Sequence, residues 1–231
     1  MTFISEIVRF VLPAQRAADF ARVRSQVASH GAILSQYYGP TMRDRTSLHV
    51  RPNEMCWVIN WRTRPTNLAM QLDAVDGDNS ATSLLFEFED NQEENLAKAL
   101  EAPLCQFATI NLVPGSATDD PELQASMHKT YTDCFLADHG FTGGDWAYSS
   151  TTNRIDGVPL AESSSRAIIN PNGRRLAVYF LGWTGHAAHD AYSATPLFAE
   201  EIDKLKSYFG PGTGAWYVNF EKHHDEEDAE K

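Results

Sequence analysis

The sequence predicts an α+β fold built from two tandem repeats, each running strand, helix, strand, strand, helix, strand. The first observation behind this is the apolar run Leu176 to Trp183, followed by a turn at Thr184-Gly185 and by Phe198, Ile202, Leu205 and Phe209 at helical spacing. It reads as a buried strand and a helix broken at Ser193-Ala194-Thr195-Pro196. The second is a weaker copy, in which Cys56-Trp57-Val58-Ile59-Asn60-Trp61 leads through Leu68 and Met70 to Ser80-Ala81-Thr82. The third is a helix ending in His-Gly ahead of each strand, at His30-Gly31 and His139-Gly140, with Tyr37-Tyr38 falling opposite Trp146-Ala147. Echoes in the same order argue for internal duplication. The first repeat is expected over 1–114 and the second over 115–222, with a disordered acidic tail over 223–231.

In chain order, Phe3 to Leu12 has strand composition and is stopped by Pro13. Ala14 to Ser29 is a helix with Phe20, Val23 and Val27 on one face, and Gly31 ends it. Strands are expected at Ala32 to Tyr38 and Trp57 to Trp61. Residues 82–90 alternate as a strand would, yet the repeat comparison makes them the start of a helix continuing to Leu100. That choice leaves 105–113 either closing the first repeat or opening the second. Pro121 to Asp138 is a helix capped by Asp119 or Asp120, with Leu123, Met127, Tyr131 and Phe135 forming its buried stripe. Thr151 to Ser165 is polar and without period, so it reads as an exposed excursion suited to a lid. Ala215 to Phe220 closes the chain's last sheet.

At 231 residues and 42% hydrophobic content the chain can bury a full core. Its 19 basic and 31 acidic residues leave a net charge of −12, which argues against a nucleic-acid or anionic membrane partner, since those need clustered cations. No apolar run approaches a membrane span and no secretory signal opens the chain, so a soluble, cytoplasmic protein is expected. Cys56, Cys105 and Cys134 lie far apart among apolar residues and read as free buried thiols. Fingerprints of nucleotide cofactors and serine hydrolases are absent from the sequence.

Alternate strand residues share a face. Trp57, Ile59 and Trp61 line one side of their strand, as Tyr179, Leu181 and Trp183 do of theirs, and the opposite faces are also largely apolar. Such a sheet must be covered twice, by helices on one side and by a second sheet on the other. A strand ending in Asn-Trp-Arg-Thr or Gly-Trp-Thr, a helix carrying a histidine, a Ser-rich break, a Leu-rich helix and a closing strand together resemble the dimeric α+β barrel superfamily. That group includes antibiotic-biosynthesis monooxygenase domains and stress-responsive A/B-barrel proteins. The matching residues are Trp183, His186 or His189, and Ser193, with Trp61 and Ser80 in the first repeat. Asn67 stands opposite His189, which confines histidine chemistry to the second repeat. The resemblance implies two ferredoxin-like repeats whose antiparallel sheets pack face to face.

His186 and His189 fall three apart, on one side of a helix. A metal would need a third ligand that no neighbouring motif supplies, so none is expected. An imidazole titrates near neutrality and suits a general base, although a structural role for either histidine remains the simpler reading of the residues alone. The monooxygenase branch oxidises phenolic or anthrone-type rings with the substrate's own electrons and no cofactor. The resemblance therefore implies a tailoring enzyme of secondary metabolism acting on an aromatic or polyketide-like small molecule. His189 would be the base, with His186 second. Tyr37, Trp61, Trp146 and Trp183 would be pocket walls, and Asn60 or Tyr148 would hydrogen-bond a developing oxyanion. The same pocket could support decarboxylation, dehydration, cyclisation or isomerisation, and a non-catalytic ligand-binding or stress-response barrel is the rival class. An enzyme should bring a histidine and another polar group to one void, whereas a structural barrel should be packed solid. A homodimer paired through a sheet edge is left open.

Overall fold

Among the described residues ten strands form one antiparallel sheet: β1 (Thr2–Val11), β2 (Ile33–Met42), β3 (Glu54–Trp61), β4 (Thr82–Glu89), β5 (Leu104–Asn111), β6 (Phe141–Tyr148), β7 (Val158–Pro159), β8 (Leu176–Trp183), β9 (Gly214–Val218) and β10 (Glu221–Lys222). The computed structural model describes residues 1–42, 50–65, 72, 75–78, 80–137, 139–163 and 165–224. The neighbours run β6-β8-β5-β9-β2-β3-β1-β4-β7, with β10 alongside β2. Strand contacts join the halves of this path at both ends. β2 meets β9 through Thr41↔Val218 and Met42↔Tyr217, and Phe86 of β4 bridges Ser149, just beyond β6. The strand path therefore returns on itself.

Six helices are described: α1 (Ala17–Ala28), α2 (Glu93–Leu100), α3 (Pro121–Leu136), α4 (Leu160–Ser163), α5 (His186–Ser193) and α6 (Pro196–Leu205). The start of α3 follows from local chemistry: Asp120 Oδ1 accepts the Glu122 N–H at 2.9 Å, and Pro121 stands where a free N–H would be unused. The break between α5 and α6 has the same cause, with Thr195 Oγ1 accepting the Phe198 N–H at 3.2 Å and Pro196 opening the new helix. None of the described helices is long and apolar enough to cross a membrane.

Three apolar clusters result. Inside the closed path, Phe86 and Phe88 of β4 meet Phe180 of β8 edge to face, each pair at 5.5 Å, and Phe107 of β5 stacks on Trp216 of β9 at 5.1 Å. Aromatic rings thus fill the interior. On the outer face of the first half, Val8, Phe10, Trp57 and Ile59 bury the Phe20, Val23 and Val27 stripe of α1. On the outer face of the second half, Tyr179, Leu181, Trp183 and Tyr217 lie under Leu123, Met127, Tyr131 and Leu205 from α3 and α6. Gly182 turns inward on β8, where a Cβ would come within 2.8 Å of Ala99 Cα, so its lack of a side chain lets α2 lie against the strand.

Several expectations are settled by these placements. Residues 82–89 form a strand, and the helix reaching Leu100 starts only at Glu93. β5 pairs with β8 and β9, so it stands in the sheet of the second half. The expected exposed excursion over Thr151–Ser165 is only partly so: among its described residues Arg154, Asp156, Pro159, Ala161 and Glu162 are exposed while others are covered. Thr151, Thr152, Val158, Leu160 and Ser163 are buried, β7 pairs with β4, and Ser150 N and Leu160 N donate to Leu85 O and Ala81 O at 2.8 and 2.9 Å. Polar residues are cheap to bury once their hydrogen bonds are made, and of these only the Thr151 hydroxyl has no partner among the described residues. The stripe of α3 also runs out early, because Phe135 is 51% exposed. The three cysteines are free and buried. Asn67, the helical piece through Leu68 and Met70, and the acidic run from Asp225 lie outside the described residues.

Candidate functional site

A cavity of about 420 Å³ lies outside the closed strand path, between the outer face of β5, β8 and β9 and helices α3, α5 and α6. Strand alternation builds its floor. Gln106 and Ala108 of β5, Tyr179, Leu181 and Trp183 of β8, and Ala215 and Tyr217 of β9 all face it. Its roof is Thr130 and Cys134 of α3, His189, Tyr192 and Ser193 of α5, and Phe198 and Ile202 of α6. The rings of Phe107, Phe180 and Trp216 occupy the space inside the strand path, so this cavity lies on the opposite face of the same strands.

The polar end of the cavity gathers around His189, whose side chain is 14% exposed. Its Nε2 lies 3.1 Å from Gln106 Nε2, 3.3 Å from Ser193 Oγ and 3.5 Å from Tyr217 Oη. Its Nδ1 lies 3.2 Å from Asp190 Oδ1. The ring stands edge-on to Trp183 at 5.5 Å and to Tyr217 at 5.4 Å. The i, i+4 spacing of a helix puts Ser193 beside His189. The remaining wall is chemically quiet. Burial pushes the Cys134 thiol up to about 12 and holds the Tyr179 and Tyr192 phenols well above their usual range, so all three stay protonated at neutral pH. Tyr179 spends its hydroxyl on Met127 O at 2.8 Å.

Of the residues singled out from sequence, His189 and Trp183 meet in this cavity. His186 sits one turn away and is exposed, with its ring 5.0 Å from that of Tyr217. Trp146 lies behind the wall, stacked on Tyr179 at 5.4 Å, and Tyr148 packs against Trp146 at 5.4 Å. The buried Tyr148 hydroxyl has no hydrogen-bond partner among the described residues. Tyr37, Asn60 and Trp61 do not reach the cavity, because they belong to the first half. Tyr37 points into the filled interior and donates to Glu101 Oε1 at 2.9 Å. Asn60 Nδ2 donates to Ser35 Oγ at 2.9 Å. Trp61 lies on the first half's outer face and donates to Glu6 Oε2 at 3.1 Å. Sequence reasoning missed Gln106 and Tyr217. Gln106 carried a signal, being the one polar residue in Leu104-Cys105-Gln106-Phe107-Ala108. Among the described residues no three His, Cys, Asp or Glu side chains converge as metal ligands do.

No protein family profile matches the chain, and no curated protein matches its sequence. Solved structures do match its fold. A candidate monooxygenase from Fusobacterium nucleatum is 8% identical, with 97% of this chain and 95% of that chain covered at a TM-score of 0.58. An anthrone oxidase-like protein is 9% identical, with coverages of 97% and 94% and a TM-score of 0.52. A candidate chlorite dismutase is 8% identical, with coverages of 96% and 95% and a TM-score of 0.58. At such identities the likeness is one of fold alone, a mixed α+β architecture with a large antiparallel sheet.

Proposed function

We propose that the chain is a small-molecule enzyme that oxygenates an aromatic or polyketide-like substrate, without a bound cofactor, in the cavity beside His189. The observation that carries this reading is an imidazole at the polar end of an otherwise largely apolar cavity, with Ser193 and Tyr217 hydroxyls within 3.5 Å of its Nε2. His189 would take a proton from a phenol or an activated methylene. The resulting carbanion would give its electron pair to dioxygen and form a C–O bond. Reprotonation would yield a hydroperoxide, and loss of water from it would leave a ketone, so that methylene and dioxygen become carbonyl and water. Tyr217 and Ser193 stand where they could donate to the developing oxyanion. The apolar roof would keep bulk water from the carbanion.

The reading is tested by titrating tryptophan fluorescence with hydroxylated anthrones, naphthols and phenols, then following oxygen uptake with the class that saturates. His189→Ala is expected to lower turnover by about a hundredfold or more while moving the melting temperature little. A large loss of stability with unchanged turnover in the folded fraction would overturn it. The filled interior favours one rival, a non-catalytic binding barrel, and saturable binding with no oxygen uptake would support that instead.

The two halves are also proposed to be tandem repeats whose sheets pack face to face. Each half has its first and third strands central and its second and fourth at the edges, as β2-β3-β1-β4 and β6-β8-β5-β9. Trp61 and Trp183 make matching indole hydrogen bonds, to Glu6 at 3.1 Å and to Gln106 at 3.0 Å.

A further inference from the structure

Resting on the reading of His189 as the base, we propose that Gln106 is the positioning residue that decides which imidazole nitrogen is left unprotonated beside the cavity. An indole nitrogen can only donate. Trp183 Nε1 lies 3.0 Å from Gln106 Oε1, which commits the amide oxygen to Trp183 and turns the amide NH2 away from it. That NH2 lies 3.1 Å from His189 Nε2. Two donors cannot share one bond, so Nε2 is the acceptor and the ring proton sits on Nδ1. The placement of Nδ1 agrees, 3.2 Å from the carboxylate oxygen of Asp190. Trp183 and Gln106 are 1% and 7% exposed, which shields the relay from exchange with bulk water.

The first half shows what the amide adds. Trp61 pairs with Ile4 as Trp183 pairs with Leu104, and Glu6 and Gln106 each lie two residues beyond that partner. Glu6 accepts from its tryptophan but has no N–H to pass on. The amide of Gln106 both accepts from an indole and reaches an imidazole with its NH2. When Nε2 takes the substrate proton, its new N–H faces the amide NH2, and Ser193 Oγ and Tyr217 Oη, at 3.3 and 3.5 Å, are the oxygens placed to receive it. Gln106 therefore holds the base in its receptive form, and an imidazolium that cannot bond this NH2 favours return of the proton to the peroxide anion formed on the substrate.

The test is a long-range 15N–1H correlation spectrum of the imidazoles, with the His189 signals identified by their loss in His189→Ala. The expected wild-type pattern is a protonated Nδ1 and a bare Nε2. Gln106→Glu places an acceptor against Nε2, and is expected to protonate it at a pH where the wild type is neutral. The same change should move the acid limb of the oxygen-uptake profile to higher pH. Trp183→Phe frees the amide to rotate and is expected to give a mixture of tautomers, so this variant keeps the test decisive if Gln106→Glu fails to fold. A wild-type spectrum with the proton on Nε2, or a pattern unmoved by either folded variant, would overturn the role of Gln106. Lack of turnover with every substrate would sink the oxygenase reading alone, because the nitrogen spectrum needs no substrate.

Discussion

Replacing Glu6 by glutamine should stabilise the protein by an amount that grows as the pH rises from about 4.5 to about 7. Glu6 is 1% exposed on the outer face of the first half, where it accepts from Ser83 Oγ at 2.5 Å and from Trp61 Nε1 at 3.1 Å, with Ser163 Oγ at 3.4 Å. Burial raises its carboxyl from 4.5 to about 7, against the opposing pull of these hydrogen bonds and of Arg64. The folded state therefore holds a proton that the unfolded chain has already released. The stability this confers is fully present below pH 4.5 and is lost as the pH rises through about 7. The gap between 4.5 and 7, at about 1.4 kcal/mol per unit, makes the loss about 3 kcal/mol. Glutamine mimics the neutral carboxyl, with its oxygen accepting from Trp61 and its NH2 turned to Ser83. Urea unfolding followed by tryptophan fluorescence should find the two proteins close in stability near pH 5. Near pH 8 the Glu6→Gln protein should be more stable by about 3 kcal/mol. An offset equal at both pH values would refute the reasoning, since it would mean that Glu6 ionises in the folded state as it does in the open chain.

Three further outcomes follow from the packing. Phe180→Ala removes the ring that meets Phe86, Phe88 and Phe107 and should cost about 3–5 kcal/mol in chemical denaturation. Ala108→Phe projects a ring into the cavity floor and should abolish saturable tryptophan quenching while leaving the far-ultraviolet circular dichroism unchanged. Asp120→Ala removes the side-chain cap of α3 and should destabilise by about 1 kcal/mol, measurable as a shift in the urea midpoint.

The strands were legible because alternation and β-branched composition are local properties, and Leu176 to Trp183 emerged with the bounds the sequence suggested. Their pairing was less so. Tyr37 was matched with Trp146, yet Tyr38 pairs with Trp57 as Trp146 pairs with Tyr179, so Tyr38 shares the outward side and Tyr37 points inward. A slip of one residue in a strand reverses every face, which is enough to move a pocket wall into the core. The excursion after β6 was misjudged because polarity was equated with exposure. Thr152 and Ser163 are buried, β7 pairs with β4 and the Leu160 N–H donates to Ala81 O. At the site, His189 was visible through helical spacing and Trp183 through its strand. Gln106 and Tyr217 come to His189 only through the pairing of β5 with β8 and β9, a relation between distant segments that no local window contains.

The meeting of β2 with β9, Thr41 against Val218, has a consequence for how the protein responds to dilution. Both edges of that junction belong to one chain, so its closure is an intramolecular equilibrium governed by effective concentration rather than by the amount of protein present. Thinning the solution does not open it, and its thermal midpoint should not drift with concentration as that of an obligate two-chain assembly would. The corresponding cost is kinetic. Segments from opposite ends of the described chain must find each other before the interior rings can lock, and such distant contacts slow folding. Until that junction forms, the Phe107 and Trp216 surface stays uncovered, and the half-closed chain is the species most prone to pair with a second copy of itself.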